Sequence, residues 1–340
     1  MDKLVGDLEN TIWSKSGGQS EPSESFCNEK DATQTSTGAQ RSSTGTAVLG
    51  HTVCYIASAV VIKEGRVLMM REAKKSCRGT WYLPAGRVEK NESLEEGVVR
   101  EVLEETGLAF QPISIVCVDS QGTSWFRFTF VRLITGGKLK SLKEQDEESM
   151  EAGWFTSQEI FTSLLLRGRD ICPLINAGLK WYETKEDNPI CRLMPSKKPH
   201  SCIVVRLLVV KRLERDNDRS LFCLLFHKTA TDNSHPCFPY KVTNFCMYGS
   251  NVSGVIEELI RDFDSRMQYR THGCINVEHT GKPHGVADGL CLTFLVEVFE
   301  PVEKGILQGK YSWFELEEKA LADKIWELID VKGCVELAEF

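Results

Sequence analysis

An apolar row repeats every four residues in the N-terminal half of the chain, at Leu94, Val98 and Val102. This spacing places the three side chains on one face of an α-helix, where they would meet a core. Ser93 and Glu96 form a capping-box pair, which predicts that the helix begins at Ser93. Gly107 is the residue type that commonly ends helices. The pattern therefore predicts an amphipathic helix between Ser93 and Gly107.

The same helix concentrates carboxylates on another face. Glu101, Glu104 and Glu105 stand at positions i, i+3 and i+4, so their side chains project together. Like charges at this spacing repel and destabilise an isolated helix. A bound divalent cation would compensate, and clustered oxygen ligands suit Mg²⁺ or Mn²⁺. This face is the first candidate for a functional site.

Apolar segments on both sides of the helix predict a mixed α/β domain. Strands are predicted at 52–62, 66–70, 113–118, 124–134 and 151–155, and helices at 157–166 and 170–182. Strands with helices on both faces make an α/β/α sandwich. This order of elements then recurs. It is predicted again at 203–210, 221–226, 252–263, 289–299 and 311–314, which suggests a duplicated domain.

The polar and proline-rich segments divide the chain. Residues 1–48 are rich in small polar residues and predict a disordered tail, with a short helix at 4–13 as an alternative. A first domain is predicted at 49–183. The proline-punctuated segment 184–200 predicts a linker, and 201–340 a second domain.

Composition narrows the function further. A net charge of −7 argues against a nucleic-acid-binding surface, so no nucleic-acid partner is expected. Thirteen cysteines without a regular spacing, and no signal-peptide pattern, predict reduced thiols in a cytoplasmic protein. No apolar run is long enough for a membrane helix, so no membrane partner is expected. Oligomeric state is not predicted.

Nine residues at fixed spacing resemble the signature of the Nudix hydrolases. They are Gly86, Glu92, Arg100, Glu101, Val102, Glu104, Glu105, Gly107 and Leu108. The resemblance implies a Nudix α/β/α sandwich and a Mg²⁺-dependent hydrolase of nucleoside diphosphate derivatives, with Mn²⁺ as an alternative ion. It also implies that Glu101 and Glu105 bind the metal, that Glu104 assists, and that the carbonyl oxygen of Ala85 completes the site.

The remaining signature residues receive supporting roles. Arg100 would orient Glu101 through a charge-assisted hydrogen bond. Gly86, Glu92 and Gly107 would shape the loop and the helix end. In the family the general base is either the first glutamate of the helix or one from a later loop. The loop candidates are Glu144, Glu147, Glu148 and Glu151, and Glu148 is favoured.

Two further segments, at 71–89 and 123–128, resemble the MutT-like branch of the family that acts on 8-oxo-guanine nucleoside diphosphates. This implies hydrolysis of 8-oxo-dGDP and 8-oxo-GDP to the monophosphate and phosphate, which sanitises the nucleotide pool and prevents DNA damage. Leu68 and Trp125 are candidate contacts to the purine. Hydrolysis of ADP-ribose or a nucleotide sugar, and a nucleotide-binding regulatory role with little turnover, remain alternatives.

The second domain is predicted to be a degenerate Nudix-like domain. Glu257, Glu258, Arg261 and Asp262 would fall opposite the Arg100–Glu105 set, and a cation among the carboxylates would oppose metal binding. His279, His284 and Cys291 are a weaker metal hypothesis, for which ordinary loop and core roles are favoured.

Overall fold

The structure is a computed structural model that describes residues 1, 3–15, 45–184, 188–215, 218–226, 237–244, 251–264, 266–299 and 310–339. In the N-terminal half the elements are α1 (Leu4–Lys15), β1 (Cys54–Val60), β2 (Ile62–Lys63), β3 (Arg66–Glu72), β4 (Trp81–Tyr82), β5 (Ala85–Arg87), α2 (Leu94–Thr106), β6 (Leu108–Gln121), β7 (Trp125–Gly137), β8 (Ser149–Thr156), α3 (Ser157–Thr162) and α4 (Ile171–Thr184). The predicted elements of this half are therefore present.

Two helices enclose the central strands of this half. β7 lies parallel to β1 and antiparallel to β6, and β5 pairs with β1 on the other side. Side chains alternate along β1, so Ala57 shares a hydrophobic cluster with Val102 of α2, whereas Val60 shares another with Leu174 of α4. β3 pairs with β2, β4 and β8 in a neighbouring sheet. The predicted α/β/α sandwich with mixed strands is confirmed.

The C-terminal half repeats this plan. Its elements are β9 (Ile203–Arg215), β10 (Asp218–Phe226), β11 (Tyr240–Val242), α5 (Val252–Phe263), β12 (Tyr269–Glu278), β13 (Leu290–Val298), β14 (Tyr311–Glu315), α6 (Lys319–Asp330) and β15 (Glu336–Glu339). β13 lies parallel to β9 and antiparallel to β12, while β11 pairs with β9 and β14 with β10. Each pairing has its counterpart in the first half, so the recurrence read from the sequence is a recurrence of topology.

The C-terminal strand β15 and the predicted linker connect the two halves. β15 lies parallel to β6 at the edge of the first sheet, although the sequence assigned residues 201–340 to the second domain. In the predicted linker, the carbonyl of Leu193 accepts from Ile115 of β6 at 2.7 Å, and Ser196 pairs with β12. The linker therefore binds both halves, and the exact domain limits stay a prediction.

The predicted disordered tail is wrong at its start. Leu4, Val5, Leu8 and Ile12 form a buried row along α1, so this helix contributes to the core. Glu9 accepts from the guanidinium of Arg206 in β9 at 2.8 Å. The alternative of a short N-terminal helix is the one found, because its apolar row has a partner surface in the C-terminal half. The rest of the predicted tail, from residue 16 to residue 44, lies outside the described residues.

Candidate active site

Three carboxylates meet at the mouth of a cleft of about 950 Å³. Glu101 and Glu104 of α2 and Glu148, just before β8, each offer an oxygen, and these oxygens lie within 4.8 Å of one another. Glu101 is buried, whereas the other two are exposed. Hard oxygen donors in such a group fit a divalent cation. Of the four loop glutamates predicted as general bases, Glu148 is the one that belongs to this group.

The local sequence explains why α2 presents Glu101 at this point. The Ser93 hydroxyl accepts from the Glu96 N–H, and the Glu96 carboxylate accepts from the Ser93 N–H, so the predicted capping box is confirmed. Gly107 adopts the left-handed conformation (φ 74°) and ends the helix. Since both ends are fixed, the rotation of the helix is fixed as well, and the carboxylate face points into the cleft.

Gly86 allows Glu101 to reach β5. A Cβ atom at Gly86 would lie 2.0 Å from Oε1 of Glu101 and 2.2 Å from its carboxyl carbon. No other residue type could occupy this position without displacing the carboxylate. The predicted structural role of Gly86 thus has a specific cause, which is close approach to a functional side chain.

Arg100 donates hydrogen bonds to three carboxylates of the signature. Its Nη1 donates to Glu101 at 2.8 Å and to Glu104 at 3.1 Å. Its Nε and Nη2 donate to the two carboxylate oxygens of Glu92 at 2.8 and 2.9 Å. The predicted orienting contact between Arg100 and Glu101 is present. Glu92 also accepts from the Glu89 N–H at 2.8 Å, so it anchors both the loop and the arginine.

Glu105 lies behind the three-carboxylate group and is not a member of it. It is 2 % exposed and accepts from the Ala85 N–H at 2.9 Å. Burial raises the pKa of Glu105 well above its usual range, although the hydrogen bond from Ala85 acts to lower it. Burial likewise raises the pKa of Glu101, Arg100 opposes the rise, and Glu148 adds to it. A divalent cation nearby would favour the charged forms, so the donor set fits a metal ion. The metal contacts predicted for Glu105 and the Ala85 carbonyl stay predictions.

Trp125 lines the cleft at the first residue of β7. A neighbouring cavity of about 940 Å³ shares Trp125, Arg87 and Glu89 with it. Leu68 does not reach either space, because β3 is covered on both faces and Leu68 is fully buried in the core. A contact between Leu68 and the substrate therefore stays a prediction.

Sequence reasoning missed an ionic network in the cleft. Arg127 of β7 donates to Asp119 at 2.8 Å and to Asp170 at 2.7 Å. The Tyr82 hydroxyl donates to the same Asp170 oxygen at 2.6 Å, and burial raises the pKa of Tyr82. Arg167 lies over the Tyr82 ring at 4.8 Å. An arginine inside the apolar strand at 125–131 was the available signal, but its partners Tyr82 and Asp170 are more than forty residues away in the sequence.

The counterpart helix in the C-terminal half lacks such a cluster among its described residues. Glu257 of α5 pairs with Arg261 on the same helix, and Glu258 pairs with Lys241 of β11. These residues are not buried, unlike Glu101 and Glu105. The cation expected among the carboxylates is thus engaged with one of them.

A second group of metal-ligand types is buried in this half, formed by His200, Glu278 and Cys291. Glu278 already accepts from Arg206 at 2.7 Å and from His200 at 2.8 Å. These contacts hold the pKa of Glu278 well below its usual range despite its burial. We read the group as an ion-pair network that anchors α1. Of the sequence-predicted metal candidates, His279 instead bonds to the Gly289 carbonyl, and Nδ1 of His284 lies 2.8 Å from Oδ2 of Asp288.

Among the residues that the structure describes, no helix has the length and apolar character needed to cross a membrane.

Comparison with known proteins identifies the family. The family model of the NUDIX domain matches residues 55–173. The 8-oxo-dGDP phosphatase NUDT18 of Danio rerio is 37% identical over 289 residues, which cover 82% of this chain and 85% of that protein. Its namesake in Mus musculus is 34% identical over 281 residues, 79% of this chain and 82% of that protein. The crystal structure of an ADP-ribose pyrophosphatase from Streptococcus suis is 20% identical, with a TM-score of 0.33, over 39% of this chain and 94% of that one. The chain therefore belongs to the Nudix hydrolase family.

Proposed function

We propose that the protein hydrolyses oxidised purine nucleoside diphosphates, 8-oxo-dGDP and 8-oxo-GDP, to the monophosphate and phosphate. The observation that carries this proposal is the alignment of most of the chain with relatives named as 8-oxo-dGDP phosphatases. The carboxylate cluster supports the hydrolytic step. Conversion of the oxidised nucleoside diphosphate to the monophosphate would keep the oxidised base out of the nucleotide precursors of DNA.

The proposed cofactor is Mg²⁺, with Mn²⁺ as an alternative. Glu101, Glu104 and Glu105, with the carbonyl oxygen of Ala85, would hold it. When bound, such an ion neutralises phosphate oxygens and lowers the pKa of water. Arg100 would keep the Glu101 carboxylate directed at the ion, because it donates to Oε1 while Glu92 fixes the guanidinium from behind.

The proposed chemistry needs one proton acceptor. A water oxygen attacks the β-phosphorus, and the bond from that phosphorus to the oxygen bridging to the α-phosphate breaks. The proton that leaves the water passes to a carboxylate, and the bridging oxygen stays on the monophosphate. Glu148 is the proposed base, since it is an exposed member of the cluster and comes from the loop before β8. Glu101 is the alternative base.

Two side chains would recognise the nucleotide. Trp125 presents a partly exposed indole to the cleft, and stacking on it suits a purine. Arg127, whose guanidinium lies 5.8 Å from the centre of the Trp125 ring, would add a positive charge beside the diphosphate. The C-terminal half is proposed to be a degenerate Nudix-like domain that braces the first and does not catalyse.

The proposed setting is a reducing cytoplasm, with a small nucleotide as the partner and neither nucleic acid nor membrane bound. The free thiols of Cys54 and Cys117 support this setting. The net charge of −7 supports the exclusion of nucleic acid.

The test is Mg²⁺-dependent turnover of the full-length protein on 8-oxo-dGDP, dGDP, 8-oxo-dGTP and ADP-ribose, with Glu101→Gln as the control. Preferred release of phosphate from 8-oxo-dGDP, lost in the variant, is the expected result. A preference for ADP-ribose or the triphosphate would overturn the substrate and keep the hydrolase. Binding of nucleotide without turnover on any of the four would replace the enzyme with a regulatory protein.

A further inference from the structure

The loop that joins β12 to β13 lies against the catalytic signature. We call residues 279–289 the bracing loop and residues 88–93, between β5 and α2, the signature loop. The backbone N–H of His284 donates to Oδ1 of Asn91 at 2.8 Å. Gly281 lies so close that a Cβ atom there would come within 2.2 Å of the Glu92 carbonyl oxygen. The C-terminal half thus touches the signature loop at two successive residues.

The bracing loop is itself held firmly. Asp288 is 1 % exposed, and its Oδ2 accepts from the Gly285 N–H at 2.9 Å within the loop. The same oxygen accepts from the Leu49 N–H at 2.8 Å. The Tyr55 hydroxyl of β1 donates to the Asp288 carbonyl at 2.8 Å in a buried contact. The base of the loop is therefore fixed to the catalytic half, so residues 281–284 can limit the movement of the signature loop.

The contact reaches a catalytic carboxylate in two steps. Glu92 receives the bracing loop on its backbone and Arg100 on its side chain. Arg100 in turn donates to Glu101 at 2.8 Å. Asn91 holds a left-handed backbone (φ 59°), a conformation that its neighbours must help to maintain. A shift of the Asn91–Glu92 backbone would consequently move the guanidinium and the Glu101 carboxylate with it.

We propose that the bracing loop is a positioning device for the active site, with Gly281 and Asn91 as positioning residues. The second half of the duplicated chain then has a function in the reaction although it lacks an acidic cluster on α5: it sets the signature loop at the distance that Arg100 needs. This inference rests on the proposed hydrolase function, because it concerns the orientation of the same carboxylate. It requires no additional ligand.

Two glycines of the bracing loop provide a matched pair of variants. Gly281 (φ 70°) faces Glu92, whereas Gly285 (φ 80°) has open space where its Cβ would be. Alanine strains the backbone similarly at both positions, and only Gly281→Ala presses on the signature loop. For Gly281→Ala we expect kcat on 8-oxo-dGDP to fall about 10- to 100-fold with a smaller change in KM, since a small misplacement of a catalytic group has effects of this size.

A second readout avoids dependence on turnover. Mn²⁺ alone is titrated into the full-length protein and free Mn²⁺ is followed by electron paramagnetic resonance. Gly281→Ala should weaken Mn²⁺ binding and Gly285→Ala should not, although alanine meets a left-handed backbone at both positions. Lys282→Ala should change neither readout much, because the Lys282–Glu96 pair is about half exposed.

Variants on the other side of the contact test the same idea without crowding. Asn91→Gly tolerates the left-handed backbone but removes the acceptor of the His284 N–H, so kcat and Mn²⁺ affinity should fall. Asn91→Asp keeps an acceptor oxygen and should retain both. If the wild type is active, two results would overturn the positioning role. One is unchanged kcat and Mn²⁺ binding in Gly281→Ala, and the other is an equal loss of both in Gly285→Ala. Inactive wild type would instead overturn the proposed function.

Discussion

At the scale of single residues, Gly86 and Glu101 constrain each other. The Glu101 carboxylate occupies the space that any side chain at residue 86 would need. Gly86→Ala should therefore displace the carboxylate and lower kcat by about 100-fold, as expected for a misplaced catalytic group. The measurement is kcat at saturating Mg²⁺, with circular dichroism to verify the fold. A variant with wild-type kcat would mean that Glu101 has another productive position.

Glu148 carries a second prediction at this scale. Glu148→Gln removes the proton acceptor but keeps the size of the side chain, so kcat should fall by about 10²- to 10⁴-fold. Glu147→Gln is the matched control, since Glu147 is the adjacent exposed glutamate and lies outside the acidic group. The pH dependence of kcat is measured for both. Near-normal kcat in Glu148→Gln, with a large loss in Glu101→Gln, would transfer the base to Glu101.

At the scale of elements, α1 is attached through its apolar row. Leu8 is fully buried on that helix, and Asn10 is exposed on it. Leu8→Ala should lower the free energy of unfolding by about 2–5 kcal/mol, the range for truncated core leucines. Asn10→Ala should have little effect. Urea unfolding of both variants is the measurement. Equal stability of Leu8→Ala and wild type would mean that residues 4–15 do not contribute to the folded core.

The strands of the C-terminal half show why duplication persists without a second acidic cluster. Their parallel pairing repeats that of β1 and β7, and β9 and β13 are buried along most of their length. The carboxylates of α5 were free to form ordinary pairs with Arg261 and Lys241. The fold is maintained by the burial of many apolar side chains, whereas the acidic group consists of one buried carboxylate, Glu101, and two exposed ones, Glu104 and Glu148.

At the scale of the whole molecule, the contact between the halves includes a histidine sensitive to acid. His279 is buried against the Tyr55 ring, with the ring centres 5.0 Å apart, and burial lowers its pKa to about 4. Its Nδ1 bonds to the Gly289 carbonyl, and among the described residues Nε2 has no partner for a further proton. The unfolded chain takes up that proton at its ordinary pKa near 6.5.

Stability contributed by neutral His279 is therefore complete above about pH 6.5 and is lost as the pH falls towards 4. His279→Asn, which can still donate to Gly289, should reduce the drop in melting temperature between pH 7 and pH 5. Differential scanning calorimetry of both proteins at the two pH values is the measurement. An identical drop in wild type and variant would assign the acid sensitivity to other groups.

The sequence anticipated most of the fold and the contact between Arg100 and Glu101. The i+4 apolar row and the capping box sufficed for α2, because these are local signals. The Arg127–Asp119–Asp170 network was missed, since its members come from β6, β7 and the segment before α4. The sequence also does not reveal that both faces of β3 are covered, so the full burial of Leu68 came only from the tertiary structure.

The sequence by itself determined the carboxylate face of α2, the loop residue Gly86 and the repeated order of strands and helices. These follow from spacing along one chain segment, where backbone geometry fixes which side chains lie together. Only the tertiary structure decided that Glu148 joins Glu101 and Glu104, that α1 is buried, and that the loop of the second half rests on Asn91 and Glu92. Those contacts join residues tens to hundreds of positions apart, and burial of apolar surface, rather than any local pattern, brings them together.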